Sequence, residues 1–196
     1  PVYQRRYSWG EAQCRQLWSD IVTAGRHPER THFTGSVVWM QEGGIGPDGV
    51  SRCQLIDGQQ RLTSVTLLLI ALAEYARERP ENLRFSADML IDRGYLVDKY
   101  ATGEGRYKLT LSGDDREVLH GMCDHVVAPD RPNHANTGSR LEANLDLFRS
   151  LAAAIDDANV VWNGLQRLEV VSVTLDQDRD EPQLVFESMN STGLDL

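Results

Sequence analysis

The most apolar segment of the chain runs from Val65 to Ala73 and has apolar residues on nearly every helical face. We therefore predict a central, buried helix from Gln59 to about Glu78. The segment His32–Gln41 is rich in β-branched and aromatic residues and predicts a strand. A glycine-rich loop and a second predicted strand, Arg52–Asp57, follow it. The two strands form a predicted hairpin that leads through Gly58 directly into the helix.

The remaining pattern predicts further helices and strands in mixed order. Ser8 and Glu11 have the spacing of a capping box, which predicts a helix that starts after Ser8 and stops near Gly25. Other predicted elements are a strand at 107–112, a helix at 114–123 capped by Ser112 or Asp114, an amphipathic helix at 139–155, a period-two strand at 168–176 and a short helix at 181–190. The order indicates an α+β fold rather than a strict βαβ alternation. We divide the chain into a core (1–112), a mainly helical segment (113–167) and a returning strand and helix (168–196).

Composition and charge limit the possible functions. The chain has 196 residues and a net charge of −9, which argues against general affinity for nucleic acid. A local basic patch is still possible, since Arg5, Arg6 and Arg15 lie near its start. Three scattered cysteines favour a reducing cytoplasm, and no apolar run is long enough to span a membrane. Because the chain opens with Pro1 and ends within a turn sequence, we expect an N-terminal piece of a longer protein.

Five polar residues, Asp57 to Arg61, stand between the second strand and the buried helix. Gly58 permits a tight turn and close approach of a ligand, and the helix start offers free amides to an anion. Arg61 can add a two-pronged phosphate contact, and Gln59 and Gln60 can orient phosphate oxygens or water. Asp57 would repel phosphate without a cation between them, so a phosphate site predicts Mg²⁺. The alternative is structural: Asp57 caps the helix and Arg61 pairs with a carboxylate. The residues alone leave both open.

Other polar or aromatic segments also have two interpretations. The start of the chain interleaves Tyr3, Tyr7 and Trp9 with arginines, a pattern that suits stacking on DNA bases and pairing with phosphates. Alternatively, Tyr7 or Trp9 packs against the helix that follows. Gly35 and Ser36 either contact a ligand or pack the strand start. The segment 120–125 (HGMCDH) lacks the ligand spacing typical of a zinc site.

Four separated segments resemble one known family: YQRRYSW (3–9), FTGS (33–36), IDGQQRLT (56–63) and VFESMNSTGLDL (185–196). They occur in the order found in the N-terminal domain of GmrSD-type restriction systems, and the resemblance covers Val2 to Leu196. That domain is related to the ParB/sulfiredoxin fold and also occurs in SspE-type phage-defence proteins, which sense phosphorothioate DNA. The resemblance therefore implies a ParB-like mixed sheet that carries a strand–turn–helix nucleotide site and packs against a helical portion.

The resemblance also implies residue roles. It gives Asp57, Gln59, Gln60 and Arg61 a part in hydrolysis of GTP or another nucleoside triphosphate. The Mg²⁺ that a phosphate site predicts would be held by Asp57. Residues that would contact the nucleotide are Gly58, Gly35, Ser36, Asn190 and Gly193. Residues that would line the pocket for modified DNA are Pro1, Val2, Tyr3, Gln4, Arg5, Arg6, Tyr7 and Trp9.

The leading hypothesis is a GTPase-like sensor domain of a cytoplasmic bacterial defence protein. It would couple nucleotide turnover to recognition of modified DNA and to a C-terminal nuclease that is absent here, with self-association left open. The alternative is a non-catalytic DNA-binding module that nucleotide switches. A nuclease within this chain is disfavoured by the lack of clustered carboxylates and of a nucleophile–base pair.

Overall fold

The structure, a computed structural model, describes residues 5–29, 31–43, 51–92, 95–130, 138–176 and 179–191, without the side chains of 189–191. This part of the chain contains three strands and seven α-helices. The strands are β1 (His32–Glu42), β2 (Arg52–Asp57) and β3 (Leu168–Leu175). The helices are α1 (Glu11–Arg26), α2 (Gln59–Glu78), α3 (Ala87–Asp92), α4 (Asp114–Val127), α5 (Arg140–Ala154), α6 (Ala158–Leu165) and α7 (Pro182–Ser191).

The sheet is mixed and has the order β2-β1-β3. Strands β1 and β2 are antiparallel, with Val38 opposite Asp57, and the ladder is irregular just after this pair. Strand β3 runs parallel to β1, with Val173 beside Val38. The predicted α+β class is confirmed. The antiparallel pairing brings the start of β1 beside the turn that follows β2, and this places the candidate site.

Helix α2 lies at the centre of the larger hydrophobic core. Every residue from Thr66 to Ala73 is buried and Val65 is partly buried, which confirms the predicted central helix. Helices α3, α4 and α5 pack around α2, and α1 packs against α6. This buried cluster joins residues of the first two predicted segments. The division of the chain at residues 112 and 167 stays a prediction.

Helix α7 contributes to a second, smaller core with the sheet. Val38, Met40, Ile56 and Leu175 form this cluster. Val185 and Phe186 of α7 pack against it. Pro182 is the first residue of α7, where its missing amide costs no hydrogen bond. No described helix is long and apolar enough to cross a membrane.

Several predicted boundaries and caps are wrong. Helix α1 starts at Glu11 with Gly10 as its N-cap, because the Ser8 amide is bonded to another helix. It ends at Arg26, one residue beyond Gly25.

The predictions for 107–123 and for β3 also need correction. Residues 107–112 form no strand and contribute a single bridge from Tyr107 to Val97. Helix α4 follows Gly113 without a side-chain cap, so neither Ser112 nor Asp114 has that role. Strand β3 is exposed at every position from 169 to 174, because β1, its neighbour in the sheet, is the one described element that it contacts extensively and neither face of β3 is covered there. Its predicted period-two burial is therefore wrong.

Candidate functional site

Strand β2 turns into α2 through Gly58, as predicted. Gly58 is the N-cap and has φ of 91°, in the left-handed region that side chains rarely adopt. A Cβ at this position would lie 3.1 Å from Val37 Cγ2 and 3.3 Å from the Ser36 carbonyl oxygen. No side chain caps the helix. The amide of Leu62 makes the first bond of the helix, to the Gly58 oxygen at 3.0 Å, so the preceding amides have no helical acceptor.

Arg61 joins this turn to the start of β1. One guanidinium nitrogen, Nη1, donates to the Ser36 carbonyl oxygen at 3.0 Å. The second terminal nitrogen, Nη2, lies against Gly35, where an added Cβ would be only 2.7 Å away. Gly35 also has φ of 98°, so the backbone itself favours glycine there. The FTGS and DGQQR segments thus meet at the guanidinium.

The structural alternative for Asp57 and Arg61 is wrong. Asp57 does not cap α2, and Arg61 forms no ion pair with any described carboxylate. Burial lowers the pKa of Arg61 from its ordinary value, and the negative charge of Asp57 opposes that shift. A half-buried cation without an ion-pair partner is costly, so an anion bound here would be favourable.

The two glutamines of the motif are both engaged within the protein. Gln59 Nε2 donates to the Leu55 carbonyl oxygen at 3.0 Å. Gln60 Oε1 accepts from the amides of Ser8 and Trp9 at 2.7 and 3.2 Å, and from the Ser8 hydroxyl at 3.3 Å. Gln60 Nε2 donates to the Arg6 carbonyl oxygen at 3.2 Å. The side chain of Gln60 therefore holds the start of the chain against α2, which does not fit a direct role in orienting phosphate or water.

The segment from Arg5 to Gly10, here called the N-terminal strap, crosses the first turns of α2. Tyr7 anchors the strap in the core. Its ring is buried, and its hydroxyl lies 2.7 Å from Ser64 Oγ and accepts from Asn144 Nδ2 at 2.9 Å. Burial raises the pKa of the Tyr7 hydroxyl, and its contact with Cys14 adds to the shift. A buried ring cannot stack on a base, so Tyr7 positions the strap, and its predicted DNA contact does not fit.

Helices α4 and α5 hold the strap from the other side. Asp115 Oδ2 accepts from the Tyr7 amide at 2.8 Å. Arg140 Nη1 donates to the Ser8 carbonyl oxygen at 3.0 Å, and Asn144 Nδ2 donates to that of Trp9 at 2.9 Å. The backbone path of the strap is thus fixed from two sides.

The arginines of the predicted basic patch differ in their partners. Arg6 pairs with Asp114 at 3.0 Å, but both side chains are more than three-quarters exposed, so the pair is weak. Arg15 pairs with Glu11 at 2.7 Å within α1. Arg5 lies 4.8 Å above the Phe186 ring of α7. The strap therefore also contacts the fourth motif segment, VFES.

Some predicted residues lie outside the described part of the chain. Pro1, Val2, Tyr3 and Gln4 precede it, and the Asn190 side chain and Gly193 fall after it. Their predicted contacts with DNA and nucleotide stay predictions.

The residues at the turn fit a magnesium ion only as part of a nucleotide complex. No group of three or more His, Cys, Asp or Glu in the described ranges could hold a metal by itself. Mg²⁺ is commonly bound through one or two carboxylates together with substrate phosphates and waters. Asp57 supplies one carboxylate that makes no hydrogen bond to the described residues, and this suits such an ion.

Sequence reasoning missed Arg140 and Asn144, which hold the strap. Asn144 lies within the apolar stripe of α5 and is 3% exposed. A polar residue in a predicted buried stripe needs partners, and that signal was available in the sequence. Arg140 gave no comparable signal, since its partner is 132 positions away.

The fold and the site define a class: an α+β domain with an uncapped, glycine-led helix start and a half-buried arginine, suited to bind an anion. The chain belongs to the family described as "GmrSD restriction endonuclease, N-terminal domain", whose sequence model matches residues 1–196. No curated protein matches the chain. Membership makes this domain part of a modification-dependent restriction system and indicates DNA and a C-terminal nuclease as its partners in the full protein.

Proposed function

We propose that this domain is a nucleotide-hydrolysing sensor that binds GTP or another nucleoside triphosphate at the turn from β2 to α2. One observation carries the proposal: contacts link the described parts of all four motif segments, and three of these segments meet at the first turn of α2. The strap contacts Gln60 and Phe186, and Ser36 contacts Arg61. Residues so distant along the chain meet at a surface that offers amides, a guanidinium and a carboxylate.

The chemistry of the turn suits a triphosphate. Uncapped amides and the positive end of the α2 dipole favour phosphate oxygens. Arg61 has donors beyond the one that holds Ser36, and these can bind the phosphate whose charge grows during hydrolysis. Asp57 would hold Mg²⁺, which would neutralise phosphate charge and favour attack by water.

Substitution of Arg61 tests the nucleotide site. Arg61→Ala should lower nucleotide turnover by about a hundredfold or more, since it removes the charge contact in a partly dry site. Asp57→Ala should have a similar effect if that carboxylate holds Mg²⁺. Turnover is measured as phosphate release from GTP with Mg²⁺, beside a melting curve of each variant. Arg26→Ala, at the exposed end of α1, is the matched control and should turn over nucleotide as wild type does. Wild-type turnover in both site variants would refute the assignment.

The rival function is a switch that binds nucleotide without hydrolysing it. The engagement of Gln59 and Gln60 within the protein favours this alternative, because it removes two candidates for orienting water. Single-turnover hydrolysis by the wild-type chain separates the two functions. Nucleotide binding without phosphate release would establish the switch.

The strap and the residues before it are the proposed DNA surface. In an acidic chain, DNA affinity must come from a local site, and Arg5 is an exposed cation without an ion-pair partner among the described residues. Arg5→Ala should weaken binding to modified and unmodified duplexes alike and reduce its salt dependence. Tyr3→Ala should weaken binding to phosphorothioate DNA more than to unmodified DNA. Equilibrium titrations of matched oligonucleotides at two salt concentrations measure both effects. Equal losses for Tyr3→Ala would place the sensor elsewhere.

A further inference from the structure

The side chain of Gln60 connects two surfaces that the proposed function treats separately. Its backbone lies in the first turn of α2, where the phosphates would bind. Its amide group reaches the strap, and all but one of its contacts are to main-chain atoms of Arg6, Ser8 and Trp9. These contacts fix the path of the strap and leave the side chains of Arg5 and Arg6 exposed for a ligand.

A second contact strengthens the same connection. The Ser64 hydroxyl donates to the Gln60 carbonyl oxygen at 2.9 Å and lies 2.7 Å from the Tyr7 hydroxyl. Ser64 is fully buried, one turn beyond Gln60. The first turns of α2 and residues 6–9 therefore form one hydrogen-bonded unit, and neither can shift far without breaking these bonds.

We propose that Gln60 is the positioning residue through which nucleotide and DNA affect each other's binding. The inference rests on the proposed function and adds the contacts through which binding of one ligand would alter binding of the other. A nucleotide that orders the first turn of α2 would order the strap through Gln60, and DNA bound to the strap would order the turn. Such coupling is reciprocal, so nucleotide changes the affinity for DNA by the same factor by which DNA changes the affinity for nucleotide.

The test measures that factor. A duplex with phosphorothioate linkages is titrated with and without a non-hydrolysable GTP analogue and Mg²⁺, and the factor is the ratio of the two dissociation constants. Wild type should show a factor of about fivefold or more, the low end of typical coupling. Gln60→Ala removes the side-chain bonds to the strap but keeps the contact between Ser64 and Tyr7, so it should lower the factor to about half of the wild-type value or less. Gln60→Glu keeps one acceptor oxygen but loses the donor to Arg6, so it should also lower the factor, and it replaces Gln60→Ala if that variant fails to fold.

Arg140→Ala is the matched control. It removes another hydrogen bond to the strap, at the Ser8 carbonyl oxygen, without touching α2. It should keep the wild-type factor even where DNA binds more weakly. Hydrogen exchange supplies a readout that does not depend on activity: the Ser8 and Trp9 amides should exchange faster in Gln60→Ala than in wild type.

The outcomes separate the inference from the proposed function. A wild-type chain that binds no nucleotide analogue refutes the proposed function, before any variant is compared. A wild-type chain that binds both ligands without coupling overturns the inference alone. So does a Gln60→Ala variant that keeps the wild-type factor, or an equal loss of coupling in Arg140→Ala.

Discussion

The contact between Gly35 and Arg61 gives the sharpest test of the site geometry. Gly35→Ala places a Cβ 2.7 Å from Arg61 Nη2 and 3.1 Å from Cζ. Ordinary contacts of this kind are about 3.5–4.0 Å, so the guanidinium must move by about 1 Å. Its hydrogen bond to the Ser36 oxygen, now 3.0 Å, would then be stretched or broken. A shift of about 1 Å at a catalytic group can cost about a hundredfold in rate.

Stability and function should respond differently to this change. The φ of 98° at Gly35 makes alanine strained, at a cost of about 1–3 kcal/mol in the free energy of unfolding. The clash itself should add little, because the flexible end of Arg61 can move away. Because the two residues are in contact, their stability costs need not add, and the double variant should lose no more stability than the sum of the two single losses, since alanine at position 61 removes the clash. Their effects on turnover should not add, since both variants remove the same guanidinium contact.

Urea unfolding and GTP turnover of the two single variants and the double variant measure these effects. The double variant should turn over nucleotide about as slowly as Arg61→Ala alone. Gly43→Ala is the control: its φ of 66° is also unfavourable for alanine, but no atom of the described residues lies within 4 Å of the added Cβ. It should lose stability and keep turnover. Wild-type turnover in Gly35→Ala, or a double variant whose loss is the product of the single losses, would refute the geometry.

Two further predictions concern buried polar groups. Tyr7→Phe should lower the free energy of unfolding by about 1–2 kcal/mol, because Ser64 and Asn144 each lose one of their buried hydrogen bonds. Tyr100→Phe, at 88% exposure, should change it by less than about 0.5 kcal/mol. Equal effects in urea unfolding would contradict the anchoring role. Burial raises the pKa of Cys123 to about 12 and that of Cys14 above its ordinary value, while Cys53 is exposed. In the native chain at neutral pH, the thiol of Cys53 should therefore react rapidly with a thiol reagent and those of Cys14 and Cys123 should not. Rapid reaction of a second thiol would show that the core opens.

The strand–turn–helix junction could be predicted from the sequence because its signals are local. The apolar run, the preceding strand and Gly58 lie within one continuous stretch. All three predict a strand that turns at Gly58 into a buried helix. Strand β2 and helix α2 accordingly have the predicted bounds, Arg52–Asp57 and Gln59–Glu78. The meeting of Gly35 and Ser36 with Arg61 follows from the antiparallel hairpin, which pairs Val38 with Asp57.

The roles of Gln60 and Tyr7 could not be predicted, since they depend on partners that lie far away in the chain. The Ser8 amide and Gln60 are 52 positions apart, and the Tyr7 hydroxyl meets Asn144 across 137 positions. A glutamine in a polar motif has the same local appearance whether it binds ligand or backbone. The capping box at Ser8 failed for the same reason, because Gln60 competes for the Ser8 amide and the helix starts two residues later, after Gly10.

The buried part of α2, which stabilises the fold, and the candidate site occupy different parts of the helix. From Thr66 to Ala73 the helix is buried against its neighbours, and this burial fixes its axis. The first turn adds little apolar burial; its Arg61 side chain reaches the start of β1, and its Gln60 side chain reaches the strap. A change of Arg61 should therefore alter ligand contacts at a smaller cost to folding than a change in the buried segment from Thr66 to Ala73. A rigid helix that begins at the proposed ligand site would also transmit a shift of its first turn to the residues bonded there. Among the described residues, the strap is bonded to that turn by several hydrogen bonds of Gln60.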